Sequence, residues 1–209
     1  LLPRKIDKAA LDCYLSMGYI PGDRCILNGY NKLPPANAMC FDLKKGISKT
    51  WSYWGIPVST FENTSSPIYE EELLDELEAL LEDSIRLQMV ADVPVGVLLS
   101  GGLDSSLITA MACRVSNKIK TFTIRFPGHG KLDETKHARM ISKYFNTKHV
   151  ELEATSITSD LIPMLARQFD EPIIDSSMIP TYLVSQLVRK YCTVALGGDG
   201  GDELFGGYN

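Results

Sequence analysis

From residue 69 onward the chain alternates between two kinds of hydrophobic pattern. Leu73, Leu74, Leu77, Leu80, Leu81, Ser84 and Leu87 recur at helical spacing, while Glu71, Glu72, Asp75, Glu78 and Glu82 take the other face. That pattern predicts an amphipathic helix whose leucines are core and whose acids are solvated. Short apolar runs then alternate with helical periodicity. Residues 95–99, 121–126, 149–152 and 193–196 read as strands, and 105–115, 134–145, 157–169 and 179–190 as helices. Strands separated by helices of ten or more residues predict an α/β fold with a parallel sheet and helices on both faces. Before residue 65 the pattern is different. Residues 14–57 are rich in turns and aromatics, with extended candidates at 25–27 and 38–43 on either side of Pro34-Pro35, which reads as a short piece of β structure. A polar connector, 59–67, ends in Ser65-Ser66-Pro67, a helix start with proline in the first turn. Two domains are therefore expected, 1–64 and 65–209.

Composition narrows the function classes. With 209 residues, 44% of them hydrophobic, the chain can bury a sizeable core. Its formal net charge is −5 and no lysine or arginine run is dense enough to track a phosphate backbone, so nucleic acid is not an expected partner. Cys13, Cys25, Cys40, Cys113 and Cys192 are scattered and form no Cys-x-x-Cys pair, which fits reduced thiols rather than a disulfide framework or a zinc site. No apolar window reaches the ~18 residues of a membrane span, and the opening Leu-Leu-Pro-Arg-Lys lacks the layout of a secretion signal. A soluble, cytoplasmic protein without a membrane partner is expected. His129, His137 and His149 share no spacing that would suggest a metal site.

The chemistry concentrates where the first strand ends. Ser100-Gly101-Gly102-Leu103-Asp104-Ser105-Ser106 sits on a strand-to-helix junction. Amides at a helix start lack intrahelical acceptors and carry the positive end of the helix dipole. Two glycines let the main chain approach a bound anion closely, and the hydroxyls of Ser100, Ser105 and Ser106 supply further donors. Asp104 would repel phosphate unless magnesium sits between them, and magnesium typically uses one or two carboxylates plus substrate phosphates. An ordinary capped turn is the competing reading. The segment has no lysine of the kind found in Gly-x-x-x-x-Gly-Lys-Ser/Thr loops, so it implies a different ATP chemistry.

Ser100 to Ser105 resembles the signature of the pyrophosphatase-loop ATP enzymes, which split ATP to AMP and pyrophosphate. Ala195-Leu196-Gly197-Gly198-Asp199-Gly200-Gly201-Asp202-Glu203-Leu204-Phe205-Gly206-Gly207-Tyr208 resembles the Ser-Gly-Glu/Asp-Gly-x-Asp-Glu-Leu-Phe-Gly-Gly-Tyr segment of the glutamine-hydrolysing asparagine synthetase family. Tyr14 to Pro21 and Lys32-Leu33-Pro34-Pro35 resemble the end of that family's glutaminase domain, and Asp170-Glu171-Pro172 and Pro180-Thr181-Tyr182-Leu183 resemble further landmarks. The resemblance implies an adenine nucleotide α-hydrolase-like sheet of pyrophosphatase-loop type, preceded by a β remnant of a glutaminase domain. It also implies ATP and magnesium as cofactors, with aspartate and ammonia or glutamine as small-molecule substrates. Leu99 and Ile124 would touch adenosine, and Gly197 and Gly198 would close the nucleotide site. Ser100, Gly101, Gly102, Asp104, Ser105 and Ser106 would hold pyrophosphate, Asp104 and Asp202 magnesium, and Asp199 would be the catalytic acid group near the ammonia attack.

Two departures stand out. Gly197 occupies a position where the family often has serine, and Asp199 one where glutamate is more usual. The reading therefore stays open between an aspartate-specific ligase, a same-fold amidotransferase for another carboxylate (as in surface polysaccharide synthesis), and a non-catalytic nucleotide-binding fragment. The family's glutaminase cysteine and a catalytic lysine match no position here. The resemblance thus implies a partial segment, inactive by itself, and leaves room for a homodimer in the full-length protein.

Overall fold

A computed structural model describes residues 3–57, 69–125, 133–153 and 160–207. The connector 59–67, Phe126 at the end of the second strand, the start of the helix expected over 157–169, His129 and Tyr208 lie outside them. The chain forms two compact units, one of residues 1–65 with 158–178, the other of residues 66–157 with 179–209. Residues 158–178 thus group with the first unit, whereas the sequence pattern keeps them with what precedes and follows them.

In the first unit, α1 (Lys8–Met17) is followed by an antiparallel hairpin of β1 (Asn37–Asp42) and β2 (Ile47–Ser52). Helix α1 escapes the turn-rich reading, although both of its ends carry ordinary signals. The Asp7 carboxylate accepts from the Ala10 amide at 2.9 Å, and Gly18 closes the helix at φ 81°. Strand β2 is exposed throughout and shows no apolar alternation to betray it. The candidate strand at 25–27 amounts to isolated bridges, Ile6 to Leu27 and Arg24 to Asn31. Helix α5 (Leu161–Gln168) completes this unit. After it, Glu171 pairs with Lys32 at 2.7 Å and accepts from the Ile26 amide at 3.1 Å, bordering a cavity of about 490 Å³. Burial pushes the Glu171 carboxyl up, but hydrogen bonds from Lys32, Cys25 and Ile26, with the lysine charge, outweigh it and leave the group below its ordinary range.

The second unit is built on a parallel sheet. α2 (Glu70–Gln88), β3 (Val95–Leu98), α3 (Leu103–Val115), β4 (Lys120–Arg125), α4 (Thr135–Tyr144), β5 (Lys148–Glu153), α6 (Met178–Val188), β6 (Val194–Leu196) and α7 (Gly201–Phe205) follow in order. The strands lie β5-β4-β3-β6, all parallel. Successive side chains on a strand point to opposite faces, and the two faces carry separate cores. Val97 and Leu196 join Ile85, Met111, Ala112 and Ile119 on one, while Leu98 and Phe122 join Leu152, Val188 and Cys192 on the other. Helices α2 and α3 therefore cover one face and α6 the other, as the alternation of patterns predicts.

The leucine stripe of α2 departs from expectation. Only Ile85 is buried on this helix, Leu81 is half-buried at the core edge, and Leu73, Leu74, Leu80 and Leu87 are 51 to 62% exposed. Geometry explains it. A 19-residue helix is roughly 28 Å long, whereas the four-residue strand beneath it spans roughly 13 Å, so only the C-terminal half of α2 meets the core. Among the described residues, no helix is long and apolar enough to cross a membrane.

Candidate nucleotide site

Chain order and spatial order part company at β3. Strands β4 and β5 are added on one side of β3, and the chain then returns to place β6 on the other. In open parallel sheets the crevice beyond the carboxyl ends, at the point where strand order reverses, is where ligands bind. The loops leaving β3 and β6 at that point are the two glycine-rich segments.

The two loops touch. A Cβ on Gly198 would lie 2.8 Å from Asp104 Cβ and 3.1 Å from the Ser105 amide, and one on Gly201 would lie 2.9 Å from the carboxylate carbon of Asp104. At Gly198, where the neighbours are backbone or fixed to it, only glycine allows so close an approach. Gly101, at φ 91°, is pressed the other way, against His137 and Ala138 in α4. The β3 loop is thus held between the β6 loop and the first turns of α4.

Within the β3 loop, the Ser105 hydroxyl is the organising atom. It accepts from the amides of Ser100 at 3.2 Å and Gly101 at 3.3 Å and lies 2.8 Å from the Ser100 hydroxyl. The Ser100 hydroxyl in turn accepts from the Gly102 amide at 3.2 Å. Helix α3 starts at Gly102 with no side-chain cap, so the amides of its first turn face outward without a side-chain acceptor. Below the loop, Leu99 is fully buried, its amide donates to Phe122 O at 2.8 Å, and its carbonyl accepts from the Thr123 hydroxyl.

Two adjoining hollows open here and share Leu98 and Ser100. One, of about 270 Å³, is lined by Ser100, Gly102, Asp104, Ser105, Gly197, Gly198 and Asp199 as well as Leu98. The other, of about 220 Å³, has Leu98, Leu99, Phe122, Ile124 and Val184 as its apolar walls and Ser100, Thr123 and Glu134 as its polar ones. A polar hollow over unpartnered amides suits a polyphosphate, and an apolar slot beside it suits a flat base.

Most residues singled out in the sequence meet in these hollows. Ser100, Gly102, Asp104, Ser105, Gly197, Gly198 and Asp199 line the polar one, and Leu99 and Ile124 the apolar one. Gly101 shapes the loop from behind. Ser106 lies inside α3, its amide bonded to Gly102 O at 3.1 Å, and lines neither hollow. Asp202 opens α7 one residue after Gly201, but its carboxylate lies against Gly207, and it is not among the residues lining the polar hollow. Asp199 folds back toward its own loop: a Cβ on Gly197 would lie 2.8 Å from Asp199 Oδ2. Among the described residues, no three histidine, cysteine, aspartate or glutamate side chains are grouped to hold a metal. The protein thus offers no closed cage, and Asp104 in the phosphate hollow fits a magnesium ion that would take its other ligands from phosphate and water.

Thr123 and Val184 line the apolar hollow without having been singled out by the sequence pattern. Thr123 precedes Ile124 and was within reach of the same argument. Val184 comes from α6 and has no local signal. The pair Asp133-Glu134 resembles one that the family carries after the second strand, a reading that competes with helix capping.

The chain is 39% identical over 207 residues to "Putative asparagine synthetase (glutamine-hydrolyzing) 2" of Methanocaldococcus jannaschii, covering 97% of this chain and 39% of that protein. It is 33% identical to asparagine synthetase (glutamine-hydrolyzing) 1 of Bacillus subtilis, covering 98% of this chain and 32% of the relative. The chain therefore spans less than two-fifths of the length of these curated relatives. Among solved structures, the glutamine-dependent NAD+ synthetase of Acinetobacter baumannii in complex with ADP aligns with a TM-score of 0.48 at 20% identity, over 81% of this chain and 31% of that one. Residues 76–209, which carry both glycine-rich loops and the sheet between them, match the asparagine synthase family model, and the chain belongs to that family.

Proposed function

We propose that this chain supplies the nucleotide half of an ATP-dependent, amide-forming ligase that converts aspartate to asparagine, with ammonia drawn from glutamine. The observation that carries the reading is the polar hollow at the reversal of strand order. There, uncapped α3 amides, the Ser100 and Ser105 hydroxyls, and the Asp104 and Asp199 carboxylates line one space next to an apolar slot.

In this reading the adenine lies against Leu99 and Ile124, and the loop of Ser100 to Ser105 holds the β and γ phosphates. The amides and hydroxyls stabilise charge that builds on the phosphoryl oxygens as the aspartate carboxylate attacks the α-phosphorus. The new bond joins the carboxylate oxygen to the α-phosphorus, and the bond to pyrophosphate breaks. Asp104 would hold a magnesium ion, which would supply Lewis-acid neutralisation of the phosphates. Ammonia then attacks the activated carbonyl, AMP leaves, and Asp199 accepts the proton lost from nitrogen.

A second reading rests on the packing of Asp199 against Gly197. The carboxylate occupies the space that a side chain at position 197 would need, so this loop departs from one carrying serine there, and the second reading takes the acceptor to be a carboxylate other than aspartate. One experiment addresses both readings. The full-length protein is given ATP, magnesium and radiolabelled pyrophosphate with aspartate or other carboxylates in turn. Exchange of label into ATP with aspartate, with AMP and never ADP as product, supports the first reading. Exchange only with another acceptor supports the second, and ADP as product refutes both.

A further inference from the structure

Glu134 is the unassigned polar group of the apolar hollow, and its surroundings say what it can bind. The other two polar side chains there are already engaged: the Thr123 hydroxyl donates to Leu99 O, and the Ser100 hydroxyl is bonded to Ser105 and to the Gly102 amide. Helix capping does not account for Glu134 either. Asp133 does that work, accepting from both the amide and the hydroxyl of Thr135, while Glu134 makes no side-chain cap bond to α4. Among the described residues, the Glu134 carboxylate has no hydrogen-bond or ion-pair partner. A carboxylate oxygen accepts, so a ligand in this slot that presents a donor finds an acceptor in Glu134.

The position selects the donor. The amide of Ala138 bonds to Glu134 O at 3.1 Å, and Ala138 is packed on Gly101 of the phosphate loop. Glu134 therefore stands one helical turn, about 5.4 Å, from Ala138, the residue packed on the loop that would hold phosphate. In a nucleotide the sugar lies between the phosphates and the base. Resting on the nucleotide reading above, we propose that Glu134 is a specificity-determining residue that accepts a hydrogen bond from a ribose hydroxyl of the bound nucleotide, so that the site selects ribonucleotides over deoxynucleotides.

The test measures binding of ATP, 2′-deoxy-ATP, 3′-deoxy-ATP, ITP and pyrophosphate to the 209-residue chain, its Glu134→Ala variant and its Glu134→Gln variant by titration calorimetry. A hydrogen bond to a charged, solvent-facing acceptor corresponds to about a tenfold affinity difference. The wild-type chain is expected to bind one deoxy analogue about tenfold more weakly than ATP. Glu134→Ala should lose that margin on ATP and lose nothing further on the deoxy analogue. Glu134→Gln, which keeps an acceptor oxygen and the side-chain shape, should recover part of it and serves if the alanine variant does not fold. Pyrophosphate binding should be the same in all three. Equal binding of ATP and both deoxy analogues by the wild type overturns the proposal. So does equal weakening of all nucleotides by Glu134→Ala, or a change confined to the ATP/ITP ratio, which would put the carboxylate on the base amine. Binding of pyrophosphate without any nucleotide would instead overturn the nucleotide reading itself, and this inference with it.

Discussion

Replacing Gly198 by alanine separates the close approach of the two loops from every other property of the site. The added Cβ would lie 2.8 Å from Asp104 Cβ, 3.1 Å from the Ser105 amide nitrogen and 3.3 Å from the Asp104 carbonyl carbon. None of these atoms can rotate away, since two are backbone and the third is fixed to it. Carbon atoms pack best at about 3.5 Å or more, so the β3 and β6 loops must part by about 0.7 Å. Overpacking of this kind costs about 1–3 kcal/mol, which for a domain of this size lowers Tm by several degrees. The parting also widens the phosphate hollow, and pyrophosphate should bind about tenfold more weakly, in line with the steep loss that sub-ångström misplacement brings. Gly197→Ala is the control. Its Cβ would meet Asp199 Oδ2 at 2.8 Å, the tip of a side chain that can turn, so Tm should hold and pyrophosphate should still bind while Asp199 is displaced. Thermal melts and calorimetric titration of the two variants decide the matter. If Gly198→Ala melts and binds like the wild type, or if Gly197→Ala is equally damaging, the loops do not depend on this contact.

Other outcomes follow from the same structure. Ser105→Ala removes the acceptor of the Ser100 and Gly101 amides and should weaken pyrophosphate binding about tenfold, whereas Ser106→Ala, read in the same titration, should not. Glu171→Ala leaves Lys32 and the Ile26 amide without their carboxylate and should destabilise the first unit by about 1–2 kcal/mol, visible as a lower urea midpoint. Burial holds the His149 imidazole below its ordinary value of 6.5, with Glu151 opposing and Arg139 adding to the shift. The unfolded chain therefore binds more protons than the folded one just below pH 6.5, so stability should fall as pH drops through that window. His149→Asn should flatten that part of the stability curve, and an unchanged slope would rule the residue out as its source.

Much of the second unit was legible because each of its strands is a short apolar run and each helix a periodic one. The β3 loop was legible for a different reason: serine, glycine and aspartate crowded onto a strand-to-helix junction have few other uses. What escaped was long-range. Nothing local in the Thr193 to Leu196 run says that it pairs with β3 rather than β5, and that pairing is what brings Gly198 onto Asp104. The leucines of α2 look alike in sequence, yet only the end of the helix over the sheet finds a core. Asp133 and Glu134 are equivalent as helix-start acids until the hydrogen bonds of Thr135 distinguish them. Helix α1 was missed although Asp7 and Gly18 mark both its ends, because the aromatic residues around Tyr14 drew the reading toward turns.

The Ser105 hydroxyl sits where the Ser100 and Gly101 amides converge, so the curvature of the loop is braced from within its own chain. A loop braced in this way needs little further ordering when an anion settles on it, so less of the binding energy is lost to fixing its shape.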